Sequence, residues 1–145
     1  MTAKEYLRQI QNCGRTINNK LEELTKLNEL VLNVTSAWKS DVVQSSGSGD
    51  KLGDTVAKIV DLQKEINEEI DRLVDLRREV IATIDKVEES DLRDILYRRY
   101  LRYESWEEIA VGTAYTYRHV IRLHGIALKK ISELLKDVSE CPFLS

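Results

Sequence analysis

Two stretches of this chain repeat apolar residues at alternating steps of four and three for about ten turns each. Few folds satisfy such a pattern. In the first stretch the seam is Ala3, Leu7, Ile10, Gly14, Ile17, Leu21, Leu24, Asn28, Val31, Thr35 and Trp38. In the second it is Leu52, Val56, Ile59, Gln63, Ile66, Ile70, Leu73, Arg77, Val80, Ile84 and Val87. A heptad repeat keeps one stripe of an α-helix facing a partner helix, as in coiled coils. One proline and six glycines in 145 residues leave both stretches free to continue as helix. The first helix is expected from Ala3 to about Trp38, opened by the capping box Thr2-x-x-Glu5. The second is expected from about Asp54 to Val87. Each would be about 50 Å long at 1.5 Å per residue.

Between them, Lys39 to Gly53 holds four serines and three glycines and reads as a flexible loop. The helices then pack as a long antiparallel hairpin over residues 1–88. One register sets Ile17 against Leu73, Leu24 against Ile66, Asn28 against Gln63 and Gly14 against Arg77. The facing polar pair would penalise slippage. Off the seam, Leu27, Leu30, Val34, Val60, Leu62, Val74, Leu76 and Ile81 remain apolar. They need either the C-terminal helices or a second copy of the hairpin, and the second copy is the favoured expectation. Leu30 and Leu76 are expected to face that copy. An apolar surplus of this extent marks an interface.

The C-terminal part, residues 90–136, reads as a three-helix unit. Ser90 is placed to cap a helix from Asp91 to about Arg102, with Leu92, Ile95, Leu96 and Tyr100 facing inward. Ser105 and Glu108 form a second capping box, so a short helix should start at Trp106. Gly112 is expected to end it in a left-handed conformation, and Thr116 to cap the next helix. There Val120, Leu123, Ala127 and Ile131 make one buried stripe. The other face carries Arg118, Arg122 and Lys129, with Tyr117, His119 and Ile121 flanking. From Ile109 to Lys136 five cations, Arg118, Arg122, Lys129, Lys130 and Lys136, stand against the single anion Glu133. A short helix, a turn and a basic helix make a helix-turn-helix, whose second helix enters the major groove. Arg is the side chain best suited to a bidentate guanine contact.

The same residues resemble region 4 of sigma factors. The matching elements are Trp106-Glu107-Glu108-Ile109-Ala110, Thr116, Val120, Leu123 and Ala127-Leu128-Lys129-Lys130-Ile131. The chain is similar, more closely, to small phage proteins of Gram-positive bacteria of the ArpU-type late transcriptional regulators. Asp61-Leu62, Glu65-Ile66, Ile70-Asp71, Arg99-Tyr100, Ser105 to Ala110, Arg118, Arg122-Leu123-His124-Gly125 and Ala127-Leu128 carry that likeness, from about Asp54 to Leu135. It implies a regulator that binds double-stranded DNA at a promoter and works with host RNA polymerase. Tyr117, Arg118, His119, Ile121, Arg122, Lys129 and Lys130 are the expected DNA-contacting residues. The alternatives are a polymerase- or sigma-binding protein that does not read DNA, and a structural coiled-coil protein.

Composition sets outer limits. With 42% hydrophobic and 32% charged residues, the chain suits a soluble all-α protein. Its two distant cysteines suit a reducing cytoplasm, which the resemblance implies is that of a bacterial host. It contains no long apolar run for a membrane span and no apolar leader. The net charge of −3 argues against a generally basic nucleic-acid binder, but a local basic face is enough. Cys13 and Cys141 lie too far apart in sequence for a metal spacing, and His119 and His124 have no further ligand at a useful interval. No nucleophile arrangement or phosphate loop points to an enzyme, a cofactor or a small-molecule substrate. The run Glu65, Glu68, Glu69 and Asp71 reads as a solvated helix face. Arg98, Arg99 and Arg102 suit either phosphate contacts or intramolecular pairs. Residues 137–145 are expected to form a frayed tail, with Phe143 as a candidate docking residue.

Overall fold

The computed structural model describes residues 1–40 and 47–139, and these are all helix and short connections. The helices are α1 (Ala3–Ser40), α2 (Gly47–Asp85), α3 (Ser90–Leu96), α4 (Trp106–Thr113) and α5 (Tyr117–Ser139). A π-helical turn, Tyr97–Leu101, continues α3. Helix α2 starts at Gly47 rather than near Asp54, so only residues 41–46 of the expected loop lie outside the described residues. The expected tail is helical up to Ser139, and Phe143 lies outside the described residues. No described helix is long and apolar enough to cross a membrane.

The chain divides into two compact units, one made of residues 1–12 and 73–145 and the other of residues 13–72. The division therefore falls within α1 and α2 and not near residue 88. In the first unit, Leu7 and Ile10 of α1, Val80 and Ile84 of α2, Leu96 of α3 and Ile131 of α5 are all fully buried in one cluster. Each such aliphatic side chain contributes about 1.5–3 kcal/mol through burial. Tyr6 spans α1 and α2, its hydroxyl 3.0 Å from Thr83 Oγ1. The start of α1 is fixed by the Thr2–Glu5 capping box, with Glu5 N–H donating to Thr2 Oγ1 at 3.2 Å and Thr2 N–H to Glu5 Oε2 at 2.9 Å. Leu76 and Ile81 pack against this cluster. Those two off-seam residues are thus partly covered within the chain.

In the second unit the two long helices lie side by side, antiparallel, with Ile17, Ile59 and Ile66 buried between them. The seam differs from the expected one in a regular way. Half of it, Ile17, Leu24 and Val31 with Ile59 and Ile66, is as anticipated. The alternate positions are Lys20 and Leu27 on α1 and Leu62 and Glu69 on α2, whereas Leu21, Asn28, Gln63 and Ile70 are exposed. The facing Asn28–Gln63 layer is therefore absent. The reason is a choice between a three-four and a four-three spacing. The observed spacing buries Leu27 in place of Asn28 and Leu62 in place of Gln63. Its cost is a lysine and a glutamate in the seam, and these pair with each other: Lys20 Nζ lies 3.7 Å from Glu69 and 3.7 Å from Glu65. Glu69 also accepts from Arg72 at 3.0 Å, so it is not part of a freely solvated acidic face. Burial raises the Cys13 thiol pKa, with Glu69 acting in the same direction.

Candidate nucleic-acid interface

Local chemistry builds α4 and α5 from their caps inward. Ser105 Oγ accepts from Glu108 N–H at 3.1 Å, and Glu108 Oε2 accepts from Ser105 N–H at 3.3 Å, closing the anticipated capping box. Thr116 Oγ1 caps α5 by accepting from His119 N–H at 3.1 Å. The end of α4 departs from expectation. Gly112 stays helical, and Ala114 takes the left-handed conformation with φ 63°. Gly112 is committed elsewhere: a Cβ on it would collide with the Arg98 guanidinium. That guanidinium reaches over α4 while pairing with Asp94 at 3.0 Å and Glu104 at 3.3 Å. The hydrogen bond to Asp94 holds the Arg98 pKa above its usual value. Ser90 is likewise not the cap of α3, because Glu89 occupies that position and offers no side-chain hydrogen bond. Instead, Arg93 donates to the carbonyls of Val87 at 2.6 Å and Glu88 at 2.9 Å, which fixes the entry to α3.

Three fully buried side chains, Ile95, Ile109 and Val120, lock α3, α4 and α5 together, with Trp106, Ala110, Tyr115 and Leu123 packed around them. Tyr115 is tied to α3 by a hydrogen bond to Asp91, which raises its phenol pKa. Behind this cluster lies a buried polar group that sequence reasoning missed. His124 is 7% exposed and its Nε2 is 2.6 Å from Tyr100 Oη. Trp106 meets the imidazole edge-on at 4.6 Å, and Arg99 stacks over Trp106 at 4.2 Å. Burial, then the nearby charges of Lys4, Arg99 and Arg8, lower the His124 pKa to about 4. The signal was available: His124 falls four residues after Val120 and three before Ala127, on the buried stripe. Arg98 and Arg99 are engaged within the chain, and Arg102 is exposed.

Facing away from this core, Arg118, Arg122 and Lys129 are exposed along one line of α5. They follow one another at four and seven residues, which a 3.6-residue helix keeps on one face. Gly125 lies between them, and the space where its Cβ would stand is open. Tyr117 and Ile121 flank the line and are 49% and 38% exposed. His119 is half-buried against the Tyr115 ring at 4.9 Å. Lys130 sits on a flank of the line, 3.6 Å from Glu89. Of the seven expected contact residues, five thus share or border one face, while His119 and Lys130 are engaged by neighbours. Among the described residues no group of three acidic, histidine or cysteine side chains is placed to hold a metal ion. No family model, curated protein or solved structure matches this chain.

Proposed function

We propose that α4 and α5 form a helix-turn-helix whose second helix reads double-stranded DNA, and that the protein regulates transcription at a promoter. The observation that carries this reading is the line Arg118, Arg122 and Lys129 on α5. It is exposed, uninterrupted by acid and not needed for the core, which lies on the opposite side of the helix. The two arginines sit in the first two turns, where a recognition helix meets base edges. Tyr117 and Ile121 supply apolar surface of the kind that meets a thymine methyl. Gly125 supports the reading too. Glycine in a helix interior costs about 1 kcal/mol relative to alanine, and here it leaves a flat place amid the cations where a phosphate backbone could approach closely. The likeness to sigma region 4 and to ArpU-type phage regulators adds RNA polymerase as the candidate partner.

A second reading, a polymerase- or sigma-binding protein that does not read DNA, is favoured by Val111 on α4, which is 84% exposed. Selection from random duplex DNA separates the two. Recovery of a consensus, bound at least tenfold more weakly by Arg118→Ala or Arg122→Ala with folding unchanged, supports DNA reading. No enriched DNA, with retention of purified RNA polymerase that Val111→Asp abolishes, supports the alternative.

A further inference from the structure

We infer that one side of the two-helix unit, residues 13–72, is the docking surface for a second copy of the same unit. The shifted seam leaves a face beside it that carries no charge. On α1 it consists of Gly14, Asn18, Leu21, Thr25, Asn28 and Leu32. On α2 it consists of Val56, Val60, Gln63, Asn67 and Ile70. Within each helix these positions are again spaced by four and three, so each set forms a second coiled-coil stripe. In an antiparallel pair that meets through its seam, both stripes fall on the same side of the hairpin. Leu32, Val60 and Val56 on this side are 66%, 57% and 45% exposed, although a third of the chain is charged. The face is about 27 Å long on α1 and about 21 Å on α2, each helix being about 10 Å wide. Two copies laid face to face would cover roughly 1,000 Å² in total, the lower end of what a specific interface needs.

The charges along its edge select the occupant. Arg15, Glu22 and Glu29 border the face on α1, and Ala57, Lys64 and Asp71 border it on α2. Lys20 reaches both Glu65 and Glu69, so it stands level with the turn between them. Counting outward from that level puts Arg15 beside the turn of Asp71 and Glu22 beside the turn of Lys64. Arg72 and Glu65, the neighbours in those turns, point away and are already paired with Glu69 and Lys20. A twofold axis parallel to the helices keeps every height and lays α1 of one copy over α2 of the other. Arg15 then meets Asp71 of the second copy, and Glu22 meets Lys64 of the second copy, each twice. None of these four side chains makes an ion pair among the described residues. The other twofold, which lays α1 on α1, sets Glu22 and Lys64 each near its own copy, and these two like-charge contacts offset the two Arg15–Glu29 pairs it would form. The face is thus complementary to itself in one arrangement, independently of any DNA binding.

Sedimentation equilibrium of the full chain from 1 to 100 µM tests this, with circular dichroism to follow folding. A dimer is expected. Val60→Glu and Ile70→Lys should each weaken it at least tenfold at unchanged helicity. Leu30→Glu is a control, because Leu30 is 54% exposed but lies off the face. It should leave the dimer intact. Glu22→Lys should weaken association roughly two- to tenfold, as befits exposed pairs, and adding Lys64→Glu should restore it. A monomer at 100 µM, a dimer indifferent to Val60→Glu and Ile70→Lys, or a charge swap without restoration would each overturn the proposal.

Discussion

Tyr100 Oη lies 2.6 Å from His124 Nε2 inside the first unit, and the imidazole is neutral there because burial holds its pKa near 4. The pair joins the π-helical end of α3 to the middle of α5, directly behind the exposed arginines. A buried polar pair of this kind stabilises only while both partners are present and uncharged, since an unpaired buried group costs about 1–3 kcal/mol.

The first prediction concerns pH. The folded pKa of His124 lies below the value of 6.5 in the unfolded chain, so the unfolded chain takes up the proton first. Stability from this site is complete above pH 6.5 and is lost as pH falls toward 4. Between pH 7 and pH 5 the loss should be about 2 kcal/mol, since each pKa unit corresponds to about 1.4 kcal/mol. Urea melts of the parent and of His124→Gln across that range check it. The variant should be less stable at pH 7 and should lack this part of the slope. Parallel slopes would show that His124 titrates normally.

Ala114 offers the opposite outcome, a gain. It holds the left-handed conformation without being glycine. That conformation costs an L-residue about 1 kcal/mol. Ala114→Gly should therefore raise stability by about 0.5–1 kcal/mol, less the extra entropy of the unfolded glycine. Denaturant midpoints of the two proteins decide the point, and a loss of stability would mean that the Ala114 methyl packs.

Lys129 and Lys130 are neighbours in sequence with different surroundings. Lys129 is exposed on the line of Arg118 and Arg122, while Lys130 faces Glu89 at 3.6 Å. Lys129→Ala is expected to weaken binding to all DNA sequences alike and to lower the salt slope by about one. Lys130→Ala should have less than half that effect on affinity. Filter-binding titrations at several salt concentrations measure both, and equal losses would place the contact surface nearer the flank.

Ile109 tests the linkage between α4 and α5. It is fully buried, with Ile95 and Val120 as its immediate neighbours. Ile109→Ala should cost about 2–5 kcal/mol through lost burial and a cavity. Hydrogen exchange should then accelerate in α4 and the first turns of α5 more than in residues 13–72, which form a separate compact unit. Uniform acceleration would mean that the two units unfold together.

The sequence by itself determined the helical class, both capping boxes, the Thr116 cap and the inward stripe of α5. Each depends on residues a few positions apart, and short-range hydrogen bonding and the helical period specify them without reference to the rest of the chain. The exposed line of Arg118, Arg122 and Lys129 was legible for the same reason. Tertiary structure alone decided which of two neighbouring stripes became the seam. A heptad pattern with Leu27 beside Asn28 and Leu62 beside Gln63 admits both spacings. The choice fell to burying leucine while Lys20 and Glu69 paired across the helices. It also decided that Leu76 and Ile81 are partly covered by the chain itself, that Gly112 accommodates Arg98 and leaves the left-handed position to Ala114, and that Lys130 turns to Glu89. The pairings of Gly112 with Arg98, Lys130 with Glu89 and Lys20 with Glu69 span 14, 41 and 49 residues, and local periodicity holds no information about contacts at that range.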